Sequence, residues 1–213
     1  FRRFSSPVIW ESDLSIDDYL FLFLNDNDYF SRWDSGQFLM REMIKNRLFN
    51  KANSSLEDKF IFAIKQSMKS LEIKDPFFLA TLLKTPGLTE LESLFEKVDP
   101  INIYRKSLDF KVLIGKGILQ ELRTLAYKLF VDIDHEWPEG KGQRKLLGTI
   151  WSYLTLAGDN NVKKNCVESI NHSSMTISKA ALGALKPLDS VETKEASNLF
   201  YNLWNDNAVV LDS

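Results

Sequence analysis

The residues most able to do chemistry here are two histidines, one cysteine and a short glycine-bearing run, and each sits in a pattern that argues against its use. A zinc peptidase of the HExxH type needs two histidines four residues apart on one helical face, with a glutamate between them as base. His135-Glu136-Trp137-Pro138-Glu139 comes nearest. Glu139 stands where the second histidine belongs, and Pro138 breaks the turn that would align the ligands, so residues 134–142 (DHEWPEGKG) read as a solvated loop. His172, in INHSSMT, falls at a helix boundary and is expected to cap or to face solvent. Cys166 has Lys163 and Lys164 nearby, which could lower a thiol pKa, but Val162, Cys166 and Ile170 share a helical face, so a buried and inert thiol is expected. Ile114-Gly115-Lys116-Gly117-Ile118 lacks the spacing and the Lys-Ser/Thr ending of a phosphate loop and lies inside a helical pattern. The tryptophans at 10, 33, 137, 151 and 204 lie mostly on apolar stripes and read as core rather than as stacking platforms. No catalytic, cofactor-binding or metal-ligating residue is assigned.

Composition narrows the partners. With 44% hydrophobic and 26% charged residues, a chain of 213 residues can bury a sizeable core and is not disordered. Lys plus Arg (27) nearly balance Asp plus Glu (29), so no field of one sign favours nucleic acid or an anionic membrane. A single cysteine excludes an internal disulfide and a cysteine-rich zinc cage, which fits a reducing compartment, the cytoplasm first among them. The longest apolar run, Tyr19 to Leu24, is far below the roughly 18 residues that a membrane span requires. The chain opens on Phe1 rather than Met and stops within the apolar AVVLDS, so it reads as a piece of a larger protein.

The elements follow from periodicity and caps. Residues 1–13 (FRRFSSPVIWESD) suit an extended strand or linker. Ser15-Ile16-Asp17-Asp18 is a capping box, predicting a helix over 16–24, and Asn25-Asp26-Asn27 turns the chain. The longest uninterrupted helical rhythm is Asp28 to Leu48, with Phe30, Trp33, Gln37, Met40, Ile44 and Leu48 on one stripe and Tyr29, Leu39 and Met43 widening it. Gly36 admits a close neighbour, and Asp28 and Arg32 are spaced for a surface pair. Ser55 to Asp58 reads as a second capping box, before a face of Phe60, Ile64, Met68 and Leu71. Asp75-Pro76 and Asp99-Pro100 each place a capping acid before a first-turn proline.

Thr89 to Glu92 starts a short helix, and Gly115 and Gly117 predict a kink or break within the long segment Ile101 to Ile133. Gly158 closes the helix of LLGTIWSYLTLAG, Asp159 caps the next, Thr176 caps ISKAALGAL, and Ser190 caps EASNLFYNLW. Roughly nine or ten helices with short connections and almost no alternating pattern make the fold class all-α. Such helices can close into a bundle or stack into an armadillo- or HEAT-like superhelix. The Asp-Pro pairs at 75 and 99 are followed by unlike residues, so any solenoid is irregular.

Six segments in order, FSSPVIWE at 4–11, DYFSRWDSGQ at 28–37, DPINI at 99–103, QRKLLGTIWSYL at 143–154, SSMTISKAALGAL at 173–185 and WNDNAVVLDS at 204–213, resemble the C-terminal helical part of the aminopeptidase N family, in its bacterial form. Ile177 departs from the acid that the family often carries after Met-Thr. The resemblance implies irregular stacked antiparallel helices, an α-superhelix with a short extended segment at its N-terminus. Residues 1–13 would be the tail of a preceding β-sandwich domain and 14–213 a helical C-terminal domain, incomplete at its end. It further implies a parent zinc peptidase that removes N-terminal residues from peptides, with zinc in the parent and no cofactor in this fragment. The fragment would pack over the active site and limit access, its partners being the catalytic and β-sandwich domains of the same parent and the parent's peptide substrates. Neither HExxH nor the amine-binding GAMEN-type segment is present, so the fragment alone is expected to hydrolyse nothing. The alternative is a freestanding helical-repeat scaffold that binds another protein.

Overall fold

Helix starts are where local chemistry decides most, and here the capping residues can be checked atom by atom. In the computed structural model, which describes residues 12–71, 75–97, 99–131 and 139–212, the chain forms α1 (Ile16–Asn25), α2 (Tyr29–Leu48), α3 (Ser54–Leu71), α4 (Pro76–Leu82), α5 (Leu88–Glu92), α6 (Pro100–Gly117), α7 (Leu119–Val131), α8 (Lys141–Leu156), α9 (Asn160–Glu168), a 3-10 turn (Ser169–Asn171), α10 (Met175–Leu185), α11 (Val191–Trp204) and α12 (Ala208–Leu211). No strand occurs among the described residues, and the class is all-α. The expected extended segment, residues 1–13, lies outside the described residues apart from Ser12 and Asp13.

The Ser15–Asp18 capping box forms in full, the hydroxyl taking the Asp18 N–H and the carboxylate taking the Ser15 N–H. Asp75 and Asp99 each accept the backbone N–H three residues on, at 2.8 and 3.1 Å, while the following proline occupies the first helical position. Two predicted caps are displaced. α3 is capped by Asn53, whose side-chain oxygen accepts the Leu56 N–H, rather than by Ser55. α10 starts after Ser174, leaving Thr176 inside it. The break near Gly117 is real: α6 ends there and α7 begins two residues later.

The chain divides into two compact units, one of residues 1–74 and 81–110, the other of 75–80 and 111–213. In the first unit, α1 packs on α2 and α3. The predicted α3 face, Phe60, Ile64, Met68 and Leu71, is buried throughout. Phe23 of α1 is fully covered and meets Phe60 at 5.3 Å between ring centres, each such ring contributing about 1.5–3 kcal/mol through burial. A Cβ on Gly36 would stand 2.9 Å from the Phe23 ring, which is the close neighbour that this glycine admits.

The α2 stripe is rotated from the one expected. Tyr29 and Phe30 are exposed and Trp33 is half-buried, whereas Gly36, Gln37, Leu39, Met40, Met43 and Ile44 face inward. Arg32, expected on the surface beside Asp28, is buried instead, donating from Nε to the Phe23 carbonyl at 2.9 Å and from Nη2 to Ser67 Oγ at 3.2 Å. A buried guanidinium is tolerated because these acceptors replace water. Buried Gln37 likewise donates to the Lys84 carbonyl at 2.8 Å, and Arg47 meets the buried Glu57 carboxylate at 2.8 Å.

In the second unit α8 is the central element, packed by α7, α9 and α10. Leu146, Ile150, Trp151, Tyr153 and Leu154 of α8 are all essentially covered. Its C-terminus ends in Gly158 at φ +89°, a left-handed conformation that a side chain would strain. The small residues of α10 have two uses: Ala181 and Ala184 are buried, but Gly183 is exposed and opens onto free space.

Gly148 and Gly183 therefore make a matched test. A Cβ at Gly148 would lie 2.7 Å from the Ala180 Cβ, so Gly148→Ala should destabilise by about 1–3 kcal/mol through overpacking. Gly183→Ala should be stabilising by about 0.5–1 kcal/mol, since only helix propensity changes. Urea unfolding of the two variants checks the pair.

Candidate functional site

Among the described residues, those singled out by the sequence do not converge. His135 and Glu136 lie outside the described residues, as do Trp10 and Trp137. His172 is half-buried and its Nδ1 accepts the Ser174 N–H at 2.9 Å, fastening the turn that leads into α10. Cys166 is wholly buried, and burial pushes its thiol up to about 12. Ile114 to Gly117 belongs to the end of α6, with no strand before it among the described residues. Trp151 is core, and Trp33 and Trp204 are half-buried. No three His, Cys, Asp or Glu side chains among the described residues come together as metal ligands.

What the second unit does present is an open cleft of about 450 Å³ between α7 and α9, with Trp151 of α8 at its base. From α7 come Arg123, Ala126, Tyr127 and Phe130, which recur at helical spacing and so share one side. From α9 come Asn161, Val162 and Asn165, with Asp159 at its cap. Asp159 ties the two walls together. Its Oδ1 accepts the N–H groups of Asn161 and Val162, both at 3.1 Å, and its Oδ2 accepts Arg123 Nε at 2.6 Å. Burial pushes its carboxyl up, but the Arg123 hydrogen bond and charge and the two backbone N–H groups outweigh that, holding it below the usual carboxylate range.

The other polar groups of the cleft are uncommitted. Among the described residues, Arg123 Nη1 and Nη2, the Tyr127 hydroxyl and the Asn161 and Asn165 side-chain amides carry no hydrogen bond. Tyr127 is 74% exposed, and the half-buried Phe130 ring meets Trp151 at 6.2 Å between centres. Of the cleft residues, only Asp159, as a cap, Trp151, as core, and Val162, on the face of Cys166, were singled out by the sequence. The available signal was the i, i+4 pairing of Arg123 with Tyr127 and of Asn161 with Asn165, but their meeting requires the fold.

A strongly shifted amine lies elsewhere in this unit: burial pulls Lys111 down to about 8, and its Nζ stands 5.1 Å over the Tyr153 ring. In the first unit, Leu48, Phe49, Phe95 and Ile103 contribute to a smaller pocket of about 170 Å³, in which Phe49 meets Phe95 edge-on at 6.0 Å.

With this geometry in hand, comparison with known proteins places the chain. Residues 16–213 match the family model described as a domain of unknown function (DUF3458_C) with ARM repeats. The chain belongs to that ARM-repeat family. It is 26% identical to aminopeptidase N of Caulobacter vibrioides, over 99% of this chain and 25% of that protein, and 25% identical to aminopeptidase N of Escherichia coli, over 99% and 24%. It thus spans about a quarter of the length of these relatives. The crystal structure of Legionella pneumophila aminopeptidase A in complex with aspartic acid superposes with a TM-score of 0.76 at 19% identity, covering 94% of this chain and 25% of that one, which is likeness of fold. The resemblance read from the sequence is thereby shown, and the ARM-repeat assignment agrees with stacked helices. No described helix is long and apolar enough to cross a membrane.

Asp159→Ala should cost about 1–2 kcal/mol through loss of the cap of α9. Because the folded pKa of Asp159 is depressed, its contribution is complete above the unfolded value of about 4 and is lost as pH falls through the folded one. The gap in melting temperature between wild type and Asp159→Ala should therefore narrow below about pH 4 and stay constant above about pH 5. Cys166 should resist a thiol-specific disulfide reagent at pH 8 in the native protein and react fully once unfolded; rapid native labelling would place the thiol at the surface.

Proposed function

We propose that this chain is the helical C-terminal part of a larger zinc-dependent aminopeptidase, contributing no catalytic or zinc-binding residue itself. The observation that carries this is the match of 99% of the chain to aminopeptidase N relatives of which it covers only about a quarter. In this reading residues 1–13 are the extended tail of a β-sandwich domain and 14–213 the helical domain. The helices pack over the active site built by the preceding catalytic domain and limit which peptides reach it. Zinc, the nucleophilic water and the groups that hold the substrate's free amine are then supplied by the catalytic domain. The parent acts in the cytoplasm on the N-termini of peptides, and this chain's partners are the domains of its own parent.

The test uses the full-length protein. It should release N-terminal residues from aminoacyl anilides, lose that activity to a chelator and regain it with zinc, while the separately expressed chain of residues 1–213 stays inactive. Absence of chelator-sensitive activity in the full-length protein, or hydrolysis by the chain alone, would overturn the proposal.

A further inference from the structure

We propose that the Lys111 amine is a modification site, an internal nucleophile that takes an acyl group from a small acyl phosphate. This goes beyond the aminopeptidase reading and does not rest on it.

The placement of the amine comes first. Lys111 and Gly115 are four residues apart on α6 and so share one side of it. At Gly115 that side lies so close to α8 that a Cβ would stand 3.0 Å from the Tyr153 carbonyl oxygen and 3.6 Å from the Ala157 Cβ. One turn back, the Lys111 side chain lies against the same stretch of α8, with Nζ 5.1 Å from the centre of the buried Tyr153 ring. No carboxylate answers it there. Among the described residues Lys111 has neither an ion pair nor a hydrogen bond, and Asp109, two positions earlier on another side of α6, pairs with Lys106 at 3.9 Å. Tyr153 offers no anion, since burial pushes its phenol up.

The amine is nevertheless reachable. Lys111 is half-buried, and every fully buried side-chain nitrogen among the described residues has a hydrogen-bond partner. An unpartnered Nζ must therefore touch solvent. An amine that is largely stripped of water, unpaired with any acid and still open to a reagent has what a lysine needs to act as a nucleophile, because its neutral form alone carries a lone pair. Burial pulls it down to about 8, outweighing the attraction of the ring for the cation. About a tenth of it is then neutral at pH 7, against roughly 0.04% of an ordinary lysine.

The product suits the site as well. An amide carries no charge, so surroundings that oppose the ammonium accept it. In the step, Nζ attacks the carbonyl carbon of the acyl phosphate and the N–C bond forms as the C–O bond to phosphate breaks. Phosphate leaves with the electron pair, and the surplus proton on nitrogen passes to water. With α8 closing one side of the approach, a short acyl chain on a small leaving group is favoured over the bulky thioester of a coenzyme.

The test needs no substitution. The full-length protein is treated with acetyl phosphate bearing a deuterated acetyl group, then unfolded and acetylated to completion with the unlabelled reagent, and the labelled fraction of each lysine is read by mass spectrometry. Lys111 should label about tenfold faster than the exposed Lys116 of the same helix, because a neutral fraction larger by about two hundred-fold outweighs the weaker nucleophilicity of a less basic nitrogen and its partial cover. Its rate should level off above about pH 8, while that of Lys116 keeps rising. The preference should vanish in urea, where Lys111 loses its cover. A Lys111 no faster than Lys116, a rate that climbs without levelling, a preference that survives unfolding, or labelling by acetyl-coenzyme A but not by acetyl phosphate would each overturn the proposal.

Discussion

The second unit depends on how closely α8 and α10 approach one another. At Gly148 the backbone of α8 meets the Ala180 side chain so nearly that no further atom fits between them. At the same interface Thr155 donates its hydroxyl to the Ala184 carbonyl at 2.7 Å, a contact that exists only if the helices stay at that separation. α10 is then fixed from its other side by Ser178, whose hydroxyl donates to the Ile170 carbonyl at 2.7 Å. Interiors are packed densely enough that a shift of a methyl group is felt by neighbours, so α8 sets the positions of α7 and α9, and with them the two walls of the cleft.

Buried polar groups in this protein serve mainly to join elements. Arg32 links the end of α1 to α2 and α3, Gln37 reaches the chain after α4, and Arg47 pairs with Glu57 across the turn between α2 and α3. A well-packed apolar substitute could match such pairs in stability, but removing one partner would strand a charge, so their contribution lies in holding a particular register. Repeat proteins need such devices, because stacked helices with similar apolar faces could otherwise slide past one another. Every buried side-chain nitrogen and oxygen among the described residues has a partner, which is what that constraint demands.

The buried Cys166 and the turn-forming His172 are accounted for by structure, and the uncommitted groups lining the α7–α9 cleft are amides, a guanidinium fork and a phenol, all hydrogen-bonding. Lys111, drawn down to about 8, is the exception in reactivity but faces an aromatic ring rather than an acid.

The sequence by itself determined the helical class, the positions of most helix ends and the absence of a complete zincin motif, because these rest on interactions within a few residues. The Ser15, Asp75, Asp99, Asp159 and Ser190 caps bind the N–H groups two to three residues ahead, and the Gly117 break and Gly158 stop act through the local backbone. Its order of segments also carried the likeness to aminopeptidase N, since ordered short matches survive where no single motif is strong. Tertiary structure alone decided the rest. Periodicity names a face only to within a residue or so, and the neighbours chose which: α2 turned Arg32 inward and Phe30 outward because Phe23 and Ser67 offered acceptors and a slot. The cleft of α7 and α9 joins Arg123 to Asp159 across 36 positions, a distance over which local propensity carries no information. Only packing against α8 brings those two walls within one hydrogen bond of each other.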